Sequence, residues 1–174
     1  MKIRLERDAL ADAVQWAARS LPNRPSIPIL AGLRVEAKGD MVVLSSFDYE
    51  TSAKITVPAT VSEEGVALVS GRLLADIARS LPAKPVDLAA DASKVELTCG
   101  SARFTLQMLP VTEYPELPSM PEASGTIASD AFAQAVSQVV IAAGRDELLP
   151  VFTGVRLEIE GETLSLLATD RYRL

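Results

Sequence analysis

Apolar and polar residues alternate in short runs along the chain, and in two places this alternation gives way to helical spacing. The first place begins at Asp8, a suitable N-cap, and a helix is predicted from there through Ser20. The second helix is predicted at residues 72–80. The alternating runs predict strands at 2–6, 29–37, 41–47, 53–58, 65–69, 86–90, 94–98 and 102–108.

The order of these elements is one strand, one helix and three strands, and it occurs twice. Three successive strands joined by short turns pair as antiparallel neighbours, because a parallel connection needs a longer crossover. The predicted fold class is therefore α+β, built from a doubled β-α-β-β-β unit.

A longer repeat relates the start of the chain to its end. Residues 8–51 align with residues 130–173 without a gap, at a constant offset of 122 positions. Twelve of the forty-four positions are identical, and the matches follow the predicted helix and strands, which favours a duplication over chance. The identical pairs include Asp8 with Asp130, Gly39 with Gly161, and Asp48 with Asp170.

The repeat predicts two domains, which we place at residues 1–121 and 122–174. The proline-rich stretch PVTEYPELPSMPEASG separates the two copies and is predicted to be a linker. The second copy stops at the position that corresponds to Ser52 of the first. We therefore expect the second domain to be truncated in this sequence.

Composition excludes several classes of chemistry. The 174 residues contain no histidine and one cysteine, Cys99, which removes histidine-based triads, internal disulfides and most zinc and iron sites. Neither GxGxxG nor GxxxxGK[ST] occurs. The sequence has no long apolar run and no signal peptide, and its lone cysteine suits a reducing compartment, so a cytoplasmic location is predicted. The net charge of −6 argues against non-specific nucleic-acid binding by the whole surface.

Several motifs spread over the whole chain resemble the bacterial DNA sliding clamp, the beta subunit of DNA polymerase III. They are MKIRLERDAL, RPSIPIL, FDYET, GRLLADIARSLP, SARFTLQMLP, EYPELP and ATDRYRL. The resemblance implies three domains of doubled β-α-β-β-β units, with helices lining the inner face and antiparallel sheet outside. It also implies a head-to-tail homodimer ring around duplex DNA, of which this sequence lacks the third domain.

The resemblance implies a non-catalytic processivity factor with no cofactor and no metal. Its partners would be duplex DNA, the catalytic subunit of DNA polymerase III, the clamp loader, and other polymerases or repair proteins that carry short peptide motifs. The DNA-contacting side chains would be Arg24 in the loop after the first helix, and Arg72 and Arg79 on one face of the second helix.

The resemblance places part of a peptide-binding pocket at the end of the chain. An aromatic ring, a leucine and arginine stems suit a guest peptide with apolar side chains. Many clamps have Gly-His where this chain has Arg171-Tyr172, and the larger pair should narrow the groove. The rest of the pocket would come from segments outside this sequence. The pocket residues predicted here are Phe152, Thr169, Arg171, Tyr172, Arg173 and Leu174.

The resemblance also makes the strand at 102–108 an edge strand that meets the partner subunit. Phe104 and Leu106 would pack against the partner, and Lys94 and Arg103 would pair with its acidic residues. Exposed apolar residues on an edge strand invite such pairing.

Two other hypotheses remain open at this point. The chain could be a truncated clamp piece that binds clamp partners or the loader without encircling DNA. It could also be a small carboxylate-based hydrolase, since Asp48 and Glu50, and likewise Glu113 and Glu116, form carboxylate pairs.

Overall fold

The computed structural model describes residues 1–22, 24–25, 27–123, 125–146 and 148–173. The chain divides into two units, Met1–Ser119 and Met120–Leu174. The division falls two residues before the end of the first domain predicted from the sequence.

The first unit follows the predicted order of strand, helix and three strands, twice, with one added strand. Its first half holds β1 (Lys2–Leu5), α1 (Arg7–Ala18), β2 (Gly32–Lys38), β3 (Met41–Phe47) and β4 (Ser52–Pro58). Its second half holds β5 (Thr60–Glu63), β6 (Gly65–Ser70), α2 (Gly71–Ser80), β7 (Val86–Ala90), β8 (Lys94–Cys99) and β9 (Ala102–Gln107).

Three details differ from the sequence prediction. The first helix begins at Arg7, with Glu6 as its N-cap and no side-chain capping bond, so Asp8 lies in the first turn, where a negative charge favours the helix dipole. Residues Pro28–Ala31 form a 3-10 turn rather than the start of a strand, because Pro28 supplies the fixed φ of a helical first position. Strand β5 is absent from the sequence prediction.

The strands form two antiparallel sheets that exchange strands between the two halves. The orders are β4-β3-β2-β6 and β5-β1-β7-β8-β9. Strand β6, which leads into α2, pairs with β2 of the first half, and β1, which leads into α1, pairs with β7 of the second half. Each half thus completes the sheet of the other.

The core lies between the sheets and the two helices. Alternate residues of the strands point inward, and the apolar stripes of α1 and α2 face the same interior. The helices lie side by side, and the Gln15 side-chain amide of α1 donates to the Ala75 carbonyl of α2 at 2.9 Å. The fully buried large side chains include Leu10, Val14, Leu33, Leu44, Leu74 and Leu97.

The first part of the predicted linker is anchored to the first unit by Tyr114. Its side chain is only 7% exposed. The hydroxyl oxygen accepts a hydrogen bond from the Phe47 amide at 2.8 Å, and the hydroxyl donates to the Gly32 carbonyl at 3.3 Å. Burial raises the pKa of this phenol, which keeps the donating proton in place. The linker is therefore shorter than predicted.

The second unit contains α3 (Ser129–Val139), 3-10 turns at Val140–Ala142 and Pro150–Phe152, and a hairpin of β10 (Arg156–Glu160) and β11 (Thr163–Leu167). These elements repeat the first unit at the offset of 122. Gly39 and Gly161, which turn the two hairpins, have φ angles of 62° and 59°.

Ion pairs follow the same offset. The arginine–glutamate pairs Arg34–Glu36 and Arg156–Glu158 both measure 2.6 Å. The two segments therefore share one local fold, as the duplication predicted.

Replacing Tyr114 with Phe should lower the free energy of unfolding of the first unit by about 1–3 kcal/mol, because the Phe47 amide loses its acceptor inside a buried contact. Urea denaturation followed by circular dichroism measures this change. Tyr49→Phe is the matched control, because Tyr49 is 61% exposed in the same unit. Equal stability of the two variants would contradict the anchoring role.

Candidate peptide pocket and nucleic-acid interface

The turn after β11 is built by two polar side chains that cap the backbone. The Thr169 hydroxyl accepts a hydrogen bond from the Arg171 amide at 3.1 Å. Asp170 accepts from the amides of Tyr172 and Arg173 at 3.0 and 3.1 Å, and from the Arg173 Nε at 2.9 Å. These bonds hold Arg171 in the left-handed region, at φ 81°, which non-glycine residues seldom adopt.

These bonds also explain the acidity of Asp170. The pKa of this carboxyl lies below its ordinary value because the Tyr172 amide, and then the side chain and amide of Arg173, bind the charged form. The ionised carboxylate is therefore part of the turn.

Arg171 lies between two aromatic rings. Its guanidinium carbon is 5.7 Å from the centroid of the Phe152 ring and 5.9 Å from that of the Tyr172 ring. Both distances are within the range of cation–π attraction. The turn thus directs a cationic, flat group onto an aromatic wall.

Phe152 is positioned by the segment that follows α3. The Gly144 amide donates to the Phe152 carbonyl at 2.7 Å. A Cβ at Gly144 would come within 3.2 Å of that carbonyl oxygen, so a larger residue would have to push the Phe152 backbone away. Glycine at this position allows the close approach.

A cavity of about 550 Å³ lies between this segment and the turn, entirely within the second unit. It collects four of the predicted residues, Phe152, Arg171, Tyr172 and Arg173. Thr169 does not line it but caps the turn, and Leu174 lies outside the described residues. The sequence reasoning missed the other side of the cavity, which is lined by Val140, Ile141, Ala143, Gly144, Arg145, Asp146 and Leu149. The apolar run VIAAG directly after α3 was the available signal.

The predicted DNA-binding residues lie where α2 runs beside α1. Arg72 and Arg79 are on the exposed face of α2. The Arg72 guanidinium donates to the Pro22 carbonyl at 3.1 Å, and Arg79 lies 3.8 Å from the Asp76 carboxylate. Arg24, two positions beyond Pro22, is exposed.

The structure adds two residues that the sequence reasoning did not single out. Arg19, the first residue after α1, lines a depression of about 310 Å³ together with Arg72 and Arg79. Asp76 lines the same depression. The sequence alone did not reveal Arg19 because only the packing of α1 against α2 brings it to the arginines of the other helix. Asp76 was visible in the sequence, since it lies three positions before Arg79 on α2.

Strand β9 is an edge strand, since it ends the five-stranded sheet. Phe104 is half-buried and packs against the core, while Arg103 is exposed. The prediction that Leu106 faces a partner is wrong, because its side chain is 1% exposed and belongs to the core of its own unit. Lys94 already binds Glu96 of the same strand at 2.6 Å.

In the carboxylate pair Asp48 and Glu50, the Asp48 side chain stabilises a turn of the backbone. Asp48 accepts hydrogen bonds from the amides of Glu50 and Thr51 at 3.0 and 2.6 Å. The same turn occurs at Asp170, at the offset of 122.

Among the described residues no cluster of histidine, cysteine or acidic side chains is arranged to hold a metal ion. In the same residues, no helix is both long and apolar enough to cross a membrane.

Doubled units of one strand, one helix and three strands define the DNA-clamp fold. A crystal structure of the DNA polymerase sliding clamp from Bacillus subtilis matches with a TM-score of 0.90 and 28% identity, over 98% of this chain and 47% of that chain. Family models of the DNA polymerase III beta subunit match residues 1–118 with the N-terminal domain and residues 126–174 with the central domain. The chain belongs to this family.

The curated relatives are also sliding clamps. The Beta sliding clamp of Streptomyces coelicolor is 61% identical over 173 residues, which cover 99% of this chain and 46% of the relative. That of Micrococcus luteus is 53% identical over 100% of this chain and 56% of the relative. The chain spans about half the length of the curated relatives it matches.

The turn at Asp170 should depend on pH. The pKa of Asp170 is lowered in the folded protein. The stability that the carboxylate gives to the turn is therefore fully present above the ordinary pKa of 3.8, and it is lost as the pH falls through the lowered folded value. We expect the NMR titration of the Asp170 carboxyl carbon to have a midpoint below 3.8, and amide exchange at Tyr172 and Arg173 to be faster in Asp170→Ala. A midpoint at or above that value would contradict the assigned hydrogen bonds.

Proposed function

We propose that this chain is part of a sliding clamp, a non-catalytic processivity factor that encircles duplex DNA and tethers DNA polymerase III through a peptide groove. The observation that carries the proposal is the cavity of the second unit, because it joins an apolar and aromatic wall to a rigid cationic turn. Such a clamp would work in the cytoplasm.

The chemistry of the cavity suits a short peptide with apolar anchors. Phe152, Leu149 and Ile141 supply an apolar wall, and the Tyr172 side chain is 88% exposed at its border. Arginine stems add further apolar surface while their heads remain solvated. The guests would be motifs of the polymerase catalytic subunit, the clamp loader, other polymerases and repair proteins.

The charge distribution suits an encircled duplex. The chain carries a net charge of −6, while Arg72 and Arg79 line one depression between α1 and α2, and Arg24 is exposed in the loop after α1. A few arginines can hold the phosphate backbone without reading sequence, and an acidic remainder limits binding elsewhere. This combination would keep the clamp on the duplex and still let it move along the DNA.

The edge of β9 supports a head-to-tail homodimer. It offers unpaired backbone groups, the exposed Arg103 and the partly exposed Phe104 ring to a partner subunit. Edge strands are recurrent sites of strand addition. Lys94 would have to exchange its contact with Glu96 for a partner carboxylate.

The peptide groove can be tested in a chimera that joins residues 1–174 to the part of the Streptomyces coelicolor clamp beyond the matched segment. It should bind peptides of the polymerase catalytic subunit with roughly micromolar affinity. Phe152→Ala and Tyr172→Ala should each weaken binding by about 1–3 kcal/mol, because they remove aromatic anchors. Isothermal titration calorimetry measures both changes.

Val151→Ala is the matched control for these substitutions. Val151 is adjacent to Phe152 and 85% exposed, but it does not line the cavity. Its replacement should leave the affinity unchanged. Equal affinity of all three variants and the parent would show that the peptide binds elsewhere.

The DNA-facing surface can be tested in the same chimera. Replacing Arg24, Arg72 and Arg79 with Ala should shorten its residence on circular DNA and reduce the salt dependence of duplex binding, by about one slope unit for each arginine that binds a phosphate. The melting temperature should change little, because these side chains lie at the surface. Unchanged residence and salt dependence would refute this surface.

A further inference from the structure

The depression between the two helices of the first unit is lined by apolar and charged residues. The apolar ones are Ala18, Leu21 and Ala75. The charged residues that line it are Arg19, Arg72, Asp76 and Arg79. Three arginines from two helices therefore line one depression, together with one carboxylate.

The arginines of the depression are held in different ways. Arg72 donates to the Pro22 carbonyl, which ties it to the loop that leads to Arg24. Arg79 has a carboxylate partner, Asp76, at 3.8 Å, and both side chains are mostly exposed. Arg19 is exposed at the end of α1 and reaches the same depression from the other helix.

An exposed ion pair at this distance is weak and exchanges easily. Measured pairs of this kind contribute about 0–1 kcal/mol. A phosphate that approaches Arg79 can therefore replace Asp76 as its partner at little cost in free energy. The carboxylate also repels the phosphate, so it lowers the affinity of the depression without abolishing it.

We infer that Arg19 is a further phosphate-contacting residue of the DNA-facing surface, and that Asp76 weakens the grip of that surface so that the clamp moves along DNA. The ligand class is the phosphodiester backbone of a duplex. Guanidinium groups suit it because they present several donors in one plane. This inference rests on the proposed function and deepens it.

The two residues predict opposite effects, which makes the test sharp. In the chimera, Arg19→Ala should reduce the slope of log affinity against log salt by about one unit on a short fluorescent DNA duplex. Asp76→Asn should raise the affinity by roughly two- to fivefold, the range expected for an exposed charge pair. Asp76→Asn should also slow one-dimensional diffusion of the loaded clamp on stretched DNA.

The first unit offers a matched control pair in Arg4 and Asp87. They form an exposed arginine–aspartate contact of 3.7 Å on the strands β1 and β7, away from the depression. Arg4→Ala and Asp87→Asn make the same changes in net charge as the test variants. They should alter DNA affinity much less than Arg19→Ala and Asp76→Asn do.

The outcomes separate this inference from the proposed function. If Arg72→Ala and Arg79→Ala weaken binding but Arg19→Ala equals Arg4→Ala, Arg19 is not a phosphate contact and the inference is wrong. If Asp76→Asn and Asp87→Asn have the same DNA affinity, Asp76 does not weaken DNA binding, and that part of the inference is wrong. If none of the arginine variants changes binding, the DNA-facing surface of the proposed function is itself refuted, and the inference falls with it.

Discussion

The exchange of strands between the halves of the first unit is the constraint on which the rest of that unit depends. A helix and three strands expose an apolar face that they cannot cover alone. Pairing of β2 with β6 and of β1 with β7 brings two such faces together. The same pairing sets α1 beside α2, since each helix directly follows an exchanged strand. The position of the basic depression is therefore a consequence of backbone pairing.

The second unit shows how the same backbone can carry different chemistry. The turns at Asp48 and Asp170 share their hydrogen bonds and a left-handed residue, with φ 73° at Tyr49 and 81° at Arg171. In the first unit Leu30 is buried, whereas Phe152 at the equivalent position lines the cavity. The duplicated scaffold supplied a rigid turn, and the side chains placed on it determine whether a binding surface results.

The sequence is sufficient for elements whose burial follows a regular period. Strand β8 alternates clearly, and its predicted bounds, 94–98, differ by one residue from the observed ones, Lys94–Cys99. Strand β5 has the sequence TVSE and is largely exposed, so no apolar alternation marks it. The predicted helix start is misplaced because Asp8 has the right side chain for a cap, while the first helical bond goes to the Glu6 carbonyl.

The candidate site, too, was predicted only in part from the sequence. The family motif locates the turn of the cavity. The apolar run after α3 marks its far wall, but only the packing shows that this run faces the turn. The interface role of Leu106 came from the family resemblance, whereas the alternation of the strand by itself favours the core position that the structure shows.

The two proposed binding surfaces differ in how firmly their arginines are held, and this difference suits their proposed ligands. Arg173 is fixed to Asp170 at 2.9 Å, and Arg171 is confined by the turn and by two aromatic rings. A peptide of defined shape gains affinity from such a preformed surface, because little freedom is given up on binding. Arg79 lies 3.8 Å from the Asp76 carboxylate, which is a looser ion pair. A backbone that must pass the surface continuously is better served by contacts that break easily, since every firm contact is a barrier to movement.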